Sequence, residues 1–208
     1  MADVAAVILD VVGSRNLDDR AAAQRAITDA FAQADAIVAP VQHAWATFAD
    51  EFQAIYRTLG EACAATGLVR LALAGAADVR FGIGIGTSRE VAPGATGPVL
   101  DGDAWWRARS AIEEAERRGA RTGTRTWAAG RGSDNANAAL LLRDHLISAM
   151  RPREQRITMQ LILGLTQREI AENEGITQAA VSQAAKKSGA GAVAQSYEAW
   201  IQSTGQAG

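Results

Sequence analysis

The sequence predicts an α+β protein: a βαββαβ layer of sheet and helix, followed by an all-α segment that carries a helix-turn-helix. Three observations predict it. Apolar runs of strand length, 4–12 and 79–87, are separated by stretches with helical spacing. A polar turn at residues 130–134 ends the last strand pattern, and the composition beyond it is helical. Residues 166–187, TQREIAENEGITQAAVSQAAKK, place a capping box, a glycine and a second N-cap at the spacing of two short helices around a tight turn.

The elements follow in order. VAAVILDVV (4–12) is a continuous apolar run suited to a strand covered on both faces, ended by Gly13 and Ser14. Residues 17–39 bring Leu17, Ala21, Ile27 and Phe31 to near-helical spacing, and Pro40 stops the helix. A hairpin is expected from strands 42–48 and 52–57 around Ala49-Asp50-Glu51. Residues 58–75 read as a helix, 79–87 as a strand, 88–102 as a Gly/Pro-containing loop, 103–118 as a helix and 124–129 as the last strand. Helices over 135–150, 153–163, 166–174, 177–188 and 192–203 complete the chain, with Pro152 between the first two. The expected division is 1–134 as the sheet-bearing domain, 135–152 as a connector helix and 153–208 as the helix-turn-helix domain.

Composition limits the function classes. About half of the residues are apolar, enough for a sizeable core, and the formal charge is −2, so affinity for nucleic acid must come from a local patch. One cysteine, Cys63, excludes an internal disulfide and fits a reducing cytoplasm; its Ala-rich helical setting points to burial. His43 and His145 are too few and too separated for a zinc site. The apolar N-terminus lacks a basic n-region, and no apolar run approaches the length of a membrane helix. No membrane partner is expected.

In 166–187, Thr166 and Glu169 form the capping box, and Gly175 suits the left-handed helix end. Thr177 caps the next helix, and Val181 is directed back at Ala171. The spacing is that of a DNA-binding helix-turn-helix, with a plain αα-hairpin as the competing reading. The candidate DNA contacts are Arg168, Thr177, Gln178, Ser182, Gln183 and Lys186, residue types that bond base edges or neutralise phosphate.

The N-terminal half carries its own candidate chemistry. Asp10 interrupts an apolar strand, and a buried unpaired carboxylate costs several kcal/mol, so it requires a partner or an open strand end. In a βαββαβ sheet of the ferredoxin-like type, strand one and the hairpin are neighbours, so Asp10 and Asp50 can face each other, as a divalent cation would favour. The plain alternative is a strand-end cap and an acidic turn; chemistry alone leaves both readings standing. Gly82, Gly84 and Gly86 leave one face of their strand bare, for a close ligand, a helix or another subunit. Arg117 and Arg118 are expected to pair with Glu113, Glu114 and Glu116 on a solvated face, while Arg107 and Arg109 remain candidates for phosphate. Of Trp105 and Trp106, about 100° apart on a helix, one is expected in the core and one as an interface anchor. Trp200 and Ile201 are expected to pack the last helix onto the small domain.

The stretches ILDVVGSR (8–15), FADEFQ (48–53), RFGIGIG (80–86) and GPVLDGDAWWRARSAI (97–112), together with the T-x-x-EIA…GITQAAVSQ segment, resemble the SatD family of bacterial proteins. More distantly, the strand-D-x-x-G and hairpin D-E-F motifs are similar to class III nucleotidyl cyclases and diguanylate cyclases, in which two aspartates hold the catalytic metals. This resemblance implies a nucleotidyl-cyclase-like palm with Asp10 and Asp50 as metal ligands; the candidate ligand- or phosphate-binding residues are Ser14, Arg15, Glu51, Arg107 and Arg109. It also implies Mg2+ or another divalent ion, and a nucleotide, as the ligands to test. The chain departs from the cyclase pattern in having no Asn a turn before Arg109 and no Lys in QHAWATFAD. Both departures weigh more against cyclisation than against metal or nucleotide binding.

The expected function is a cytoplasmic, nucleoid-associated regulator that binds double-stranded DNA as a homodimer or higher homo-oligomer, with the palm sensing a ligand or mediating assembly. The alternatives are a divergent nucleotidyl cyclase or phosphoryl-transfer enzyme using Asp10 and Asp50, and an architectural protein that multimerises on DNA.

Overall fold

In the computed structural model, residues 3–14, 17, 19–47, 51–94 and 97–204 are described. Arg15 and Asp50 lie outside them, as do Phe48 and Ala49 beside Asp50. The palm opens with β1 (Val4–Val11), α1 (Arg20–Asp35), β2 (Gln42–Ala46), β3 (Phe52–Tyr56), α2 (Leu59–Leu73) and β4 (Val79–Gly86). A small hairpin, β5 (Arg89–Pro93) and β6 (Pro98–Asp101), then precedes α3 (Asp103–Thr122) and β7 (Thr126–Ala129). Five helices follow: α4 (Ser133–Ala149), α5 (Pro152–Ile162), α6 (Gln167–Glu174), α7 (Gln178–Ser188) and α8 (Ala190–Thr204).

The main sheet has the order β2-β3-β1-β4-β7. The first four strands pair antiparallel throughout, and β7 joins β4 in parallel after the α3 crossover. Taken as strands one to four, β1, β2, β3 and β4 lie side by side as four-one-three-two, the arrangement of a ferredoxin-like palm. Here β7 extends the palm by one strand.

The strand period of two divides the palm into two faces. Ala5, Val7, Leu9 and Val11 of β1, with Val79, Phe81, Ile83 and Ile85 of β4, enter the large core under α1 and α2. Ala6 and Ile8 face the other way, in a smaller cluster with Trp45, Ile55, Ala104, Trp105, Ala108 and Ile112 under α3. Both faces are covered, which is why VAAVILDV reads as one unbroken apolar run. Gly82 and Gly84 face α3. A Cβ on Gly82 would stand 2.1 Å from the Ala108 carbonyl oxygen, and one on Gly84 1.9 Å from that of Ala104. The bare strand face is therefore the seat of α3, the helix-packing account of the three glycines.

Two features differ from expectation. The 88–102 segment holds the β5–β6 hairpin rather than a loop; its two short, proline-ended strands pair only with each other. The Gly and Pro residues that suggested a loop sit at the strand ends and turn. The second difference is the last helix. Trp200 and Ile201 pack against the large palm core, and the Trp200 ring lies 5.4 Å from the Arg143 guanidinium of α4. The last helix thus reaches past its small-domain neighbours onto the palm.

Among the C-terminal helices, Ile157, Ile170, Ala171 and Val181 form a separate small core. The local sequence signals are realised there. Thr166 and Glu169 cap α6 reciprocally, Gly175 ends it at φ +64°, and the Thr177 hydroxyl accepts from Ala180 N at 3.1 Å. Among the described residues no helix is long and apolar enough to cross a membrane.

Candidate functional site

Asp10 stands near the C-terminal end of β1 on the α3 face, directly opposite Arg80 in the β1–β4 register. Its Oδ2 lies 3.3 Å from Arg80 Nε, and the Asp10 side chain is 38% exposed. Arg80 also reaches Glu116 of α3 at 2.6 Å. The sequence question about Asp10 thus has a structural answer: it has a charged partner and lies at an open strand end.

Glu51, which leads into β3, shares this face. The i, i+2 alternation carries it in line with Gln53, which stands opposite Ile8 of β1. Its carboxylate takes two hydrogen bonds from Arg109 of α3, at 2.6 and 3.0 Å, and one from Gln53 Nε2 at 3.1 Å. The Thr47 hydroxyl donates to it at 3.2 Å. The hydrogen bond to Glu51 pushes the Arg109 guanidinium above its ordinary value against partial burial, and the charges of Glu51, Glu113 and Asp10 add to it. Asp10, Glu51, Arg80, Arg109 and the α3 carboxylates thus form one mixed-charge cluster along the α3 face.

Beside this cluster, a cavity of about 430 Å3 opens between β1, β3, β6 and α3, lined by Ile8, Gln53, Leu100, Asp101, Trp105, Trp106 and Arg109. Trp105 is core, 7% exposed, and donates to the Ser88 hydroxyl at 2.9 Å; Trp106 is 74% exposed. The division expected of the two tryptophans is present, with Trp106 at the cavity rim.

The remaining sequence candidates are dispersed. Arg107 sits at the far end of α3, donating to the Ile85 carbonyl at 2.5 Å and pairing with Asp103 at 2.8 Å. It lies beside the β4 C-terminus, whereas Asp10 pairs near the β4 N-terminus, roughly 20 Å away at the usual rise per strand residue. Asp103 in turn accepts from Thr87 N and the Thr87 hydroxyl at 2.6 and 2.7 Å, bonds that hold its carboxyl below the ordinary range and pin the start of α3. Ser14 lies in the turn after β1 and its carbonyl accepts from Leu17 N. Arg117 and Arg118 both bond Glu114, the solvated pairing expected of them, and Arg118 also covers the Trp127 ring at 4.0 Å.

Sequence reasoning missed Arg80, and assigned Glu116 to Arg117 and Arg118 where the structure pairs it with Arg80. Their role depends on strand register and helix docking, neither of which a single sequence displays. It also missed a second charged cluster, Arg70, Arg143 and Asp144, for which a signal existed. Leu140, Arg143, Asp144 and Ile147 follow the i, i+3, i+4, i+7 spacing of one helix face, so the two charges lie on the buried side of α4.

No described group of three or more His, Cys, Asp or Glu side chains is gathered as a ready metal centre. Magnesium, however, retains water and commonly takes only one or two carboxylates together with substrate phosphates. The half-exposed Asp10 carboxylate at a strand end fits that demand, and the second expected ligand, Asp50, lies outside the described residues.

With the palm and its charged face defined, the comparisons with known proteins place the chain. The SatD family model matches residues 4–193, and the chain belongs to the SatD family. Among solved structures it resembles the catalytic core of a rhodopsin-guanylyl cyclase with converted specificity in complex with ATPalphaS, at 12% identity and a TM-score of 0.40. That match covers 54% of this chain and 72% of the other. A guanylyl cyclase matches at 12% identity and TM-score 0.35, covering 54% and 70%. The adenylyl cyclase CyaB from P. aeruginosa matches at 14% identity and TM-score 0.36, covering 54% and 71%. No curated protein matches.

These findings correct the expected function. The DNA-binding regulator rested on residues 166–187 alone, and the family match gives it no support. In the structure the α6–turn–α7 pair is a packed hairpin whose Ile170, Ala171 and Val181 complete a small core with Ile157 of α5. Arg168 pairs with Glu172 at 3.2 Å, and Thr177 is engaged as a cap. Gln178, Ser182, Gln183 and Lys186 are exposed, as the outer face of any such hairpin is. The nucleoid association inferred from DNA binding is withdrawn with it.

Proposed function

We propose that the palm binds a nucleoside triphosphate with a divalent cation and acts on it as a divergent, nucleotidyl-cyclase-like phosphoryl-transfer enzyme. The observation that carries this reading is the convergence of Asp10, Glu51, Arg80 and Arg109 along one face, beside a cavity with an exposed tryptophan at its rim. Asp10 and Asp50 would hold the cation, which when bound offsets charge on the phosphates and orients them for in-line displacement. Arg109 holds a two-pronged grip on Glu51 that a phosphate can take over with the same geometry. Arg80, paired with both Asp10 and Glu116, orients the Asp10 carboxylate at the strand end. Trp106 offers a flat apolar surface for a base.

The test is incubation of the full chain with ATP or GTP and Mg2+ or Mn2+, following cyclic nucleotide, pyrophosphate and phosphate by chromatography, with calorimetry for binding. Metal-dependent nucleotide binding and turnover are expected, both reduced at least tenfold in Asp10→Asn. Binding and turnover that are absent in the wild type, or unchanged by Asp10→Asn and Asp50→Asn together, would sink the proposal.

A further inference from the structure

Gln53 of β3 lines the cavity of about 430 Å3 beside the Asp10 face. It stands opposite Ile8 of β1, on the side of the sheet that α3 covers. Its Nε2 donates to Glu51 Oε1 at 3.1 Å, the same oxygen that Arg109 Nη2 reaches at 3.0 Å. Gln53 and Arg109 are therefore neighbours across one shared atom.

Glu51 fixes which way the Gln53 amide faces. A carboxylate only accepts, and this one receives four hydrogen bonds, two from Arg109 and one each from Gln53 and Thr47. The NH2 end of the amide is thereby committed to Glu51, and Oε1 turns the other way. That oxygen has no hydrogen-bond partner among the described residues, and it is not sealed from solvent. Asp101, another acceptor in the lining, already receives the Gly102 N–H at 2.8 Å and Arg89 at 3.2 Å. An amide oxygen takes donors only, so a ligand beside Gln53 has to offer a hydrogen on nitrogen or oxygen at that point.

Trp106 and Arg109 are three residues apart on α3, about 4.5 Å along the helix axis. With a base on Trp106 and a phosphate on Arg109, the part of a nucleotide that lies between them is the sugar. The hydrogen-bond donors of a purine sit on the edge remote from the sugar, and ionised phosphate oxygens are acceptors. Neither meets Gln53 Oε1 next to Arg109, whereas a ribose hydroxyl does. The 3′-hydroxyl is the nucleophile when a nucleoside triphosphate cyclises, which leaves the 2′-hydroxyl for Gln53. Building on the nucleotide reading of the palm, we propose that Gln53 Oε1 accepts a hydrogen bond from the ribose 2′-hydroxyl. Gln53 is then the residue that selects ribonucleoside over 2′-deoxyribonucleoside triphosphates. A site arranged to bond a hydroxyl discriminates against the analogue that lacks it.

The experiment is calorimetric titration of the full chain, with Mg2+ present, by ATP and GTP and by their 2′-deoxy and 3′-deoxy counterparts. The ribonucleotide that binds is expected to do so at least tenfold more tightly than its 2′-deoxy form. Gln53→Leu, which keeps the size but removes the acceptor, should bring that ratio below about threefold by weakening the ribonucleotide alone. Asp10→Asn should weaken both sugars alike and leave the ratio standing. If no triphosphate binds, the nucleotide reading and the role of Gln53 fall together. If ribo and 2′-deoxy forms bind equally, if the ratio survives Gln53→Leu, or if Gln53→Leu acts on the 3′-deoxy comparison instead, the role of Gln53 alone is overturned. The wild-type ratio decides the matter even where the variant fails to fold.

Discussion

Two clusters built from the same residue types stand on opposite sides of the palm and behave differently. At the α3 face, Asp10, Glu51, Arg80, Arg109 and Glu116 form pairs that are half in water; on the buried side of α4, Asp144 is sealed between Arg70 and Arg143. The first has side chains free to exchange partners and a cavity beside it. The second is fixed by six polar contacts to Asp144 from α2, α4 and the strand leading to β7. Solvent is what separates them. Exposed pairs contribute little to stability and can be broken for a ligand at low cost, while a buried pair broken on one side leaves a charge with no compensation.

The largest effect should therefore come from Asp144→Asn, which leaves two buried guanidinium groups without their carboxylate. A loss of about 3–5 kcal/mol is expected, measured by urea unfolding; a loss below about 1 kcal/mol would place the cluster with the exposed kind. The pH dependence sharpens the point. Burial alone pushes the Asp144 carboxyl up, but the Arg143 and Arg70 charges outweigh it and hold it below the ordinary value. A carboxyl depressed in the folded state contributes stability that is complete above the unfolded value, about 3.9. That contribution is lost as pH falls through the folded value. The acid limb of the stability profile should flatten in Asp144→Asn.

Gly84 lies on the α3 face, where the palm depends on contact of backbone with backbone. Gly84→Ala brings a methyl to within 1.9 Å of the Ala104 carbonyl oxygen, a backbone atom in mid-contact, so α3 has to lift. A cost of about 1–3 kcal/mol is expected. Because α3 carries Arg109, nucleotide affinity should fall with it. An unchanged melting temperature would show that α3 is not seated as tightly as the glycines require.

How much of this could be read beforehand follows from where each signal resides. The strands over 4–12 and 79–87 and the caps at Thr166 and Thr177 were legible because they are local: a period of two, a period of 3.6, a hydroxyl three residues before an amide. Asp10 was legible as an anomaly in an apolar run. Its pairing with Arg80 was not, because register is set by the whole sheet. The β5–β6 hairpin was hidden by being short and pairing with no other strand. The helical hairpin of 166–187 is the instructive case. Its geometry was legible from spacing alone, but its function was not, since Ala171, Gly175 and Val181 are what any close-packed pair of helices needs at those positions. Arg143 and Asp144 were open to the opposite mistake, charges that look like a solvated face until their spacing with Leu140 and Ile147 is counted.

The smallest stability effect is expected at Asp10, and that smallness is the informative part. Asp10→Asn removes the charge but keeps the shape, and Arg80 retains Glu116 at 2.6 Å. With Asp10 more than a third exposed, solvent screens the pair, so a change of about 0–1 kcal/mol is expected in the same urea experiment. A residue that interrupts an apolar strand and yet contributes almost nothing to folding is kept for another task, and the nucleotide assay should then register what the unfolding curve does not. If Asp10→Asn instead cost as much as Asp144→Asn, the two clusters would be one kind of structure. The α3 face would then be a rigid brace, with no side chains free to take up phosphate.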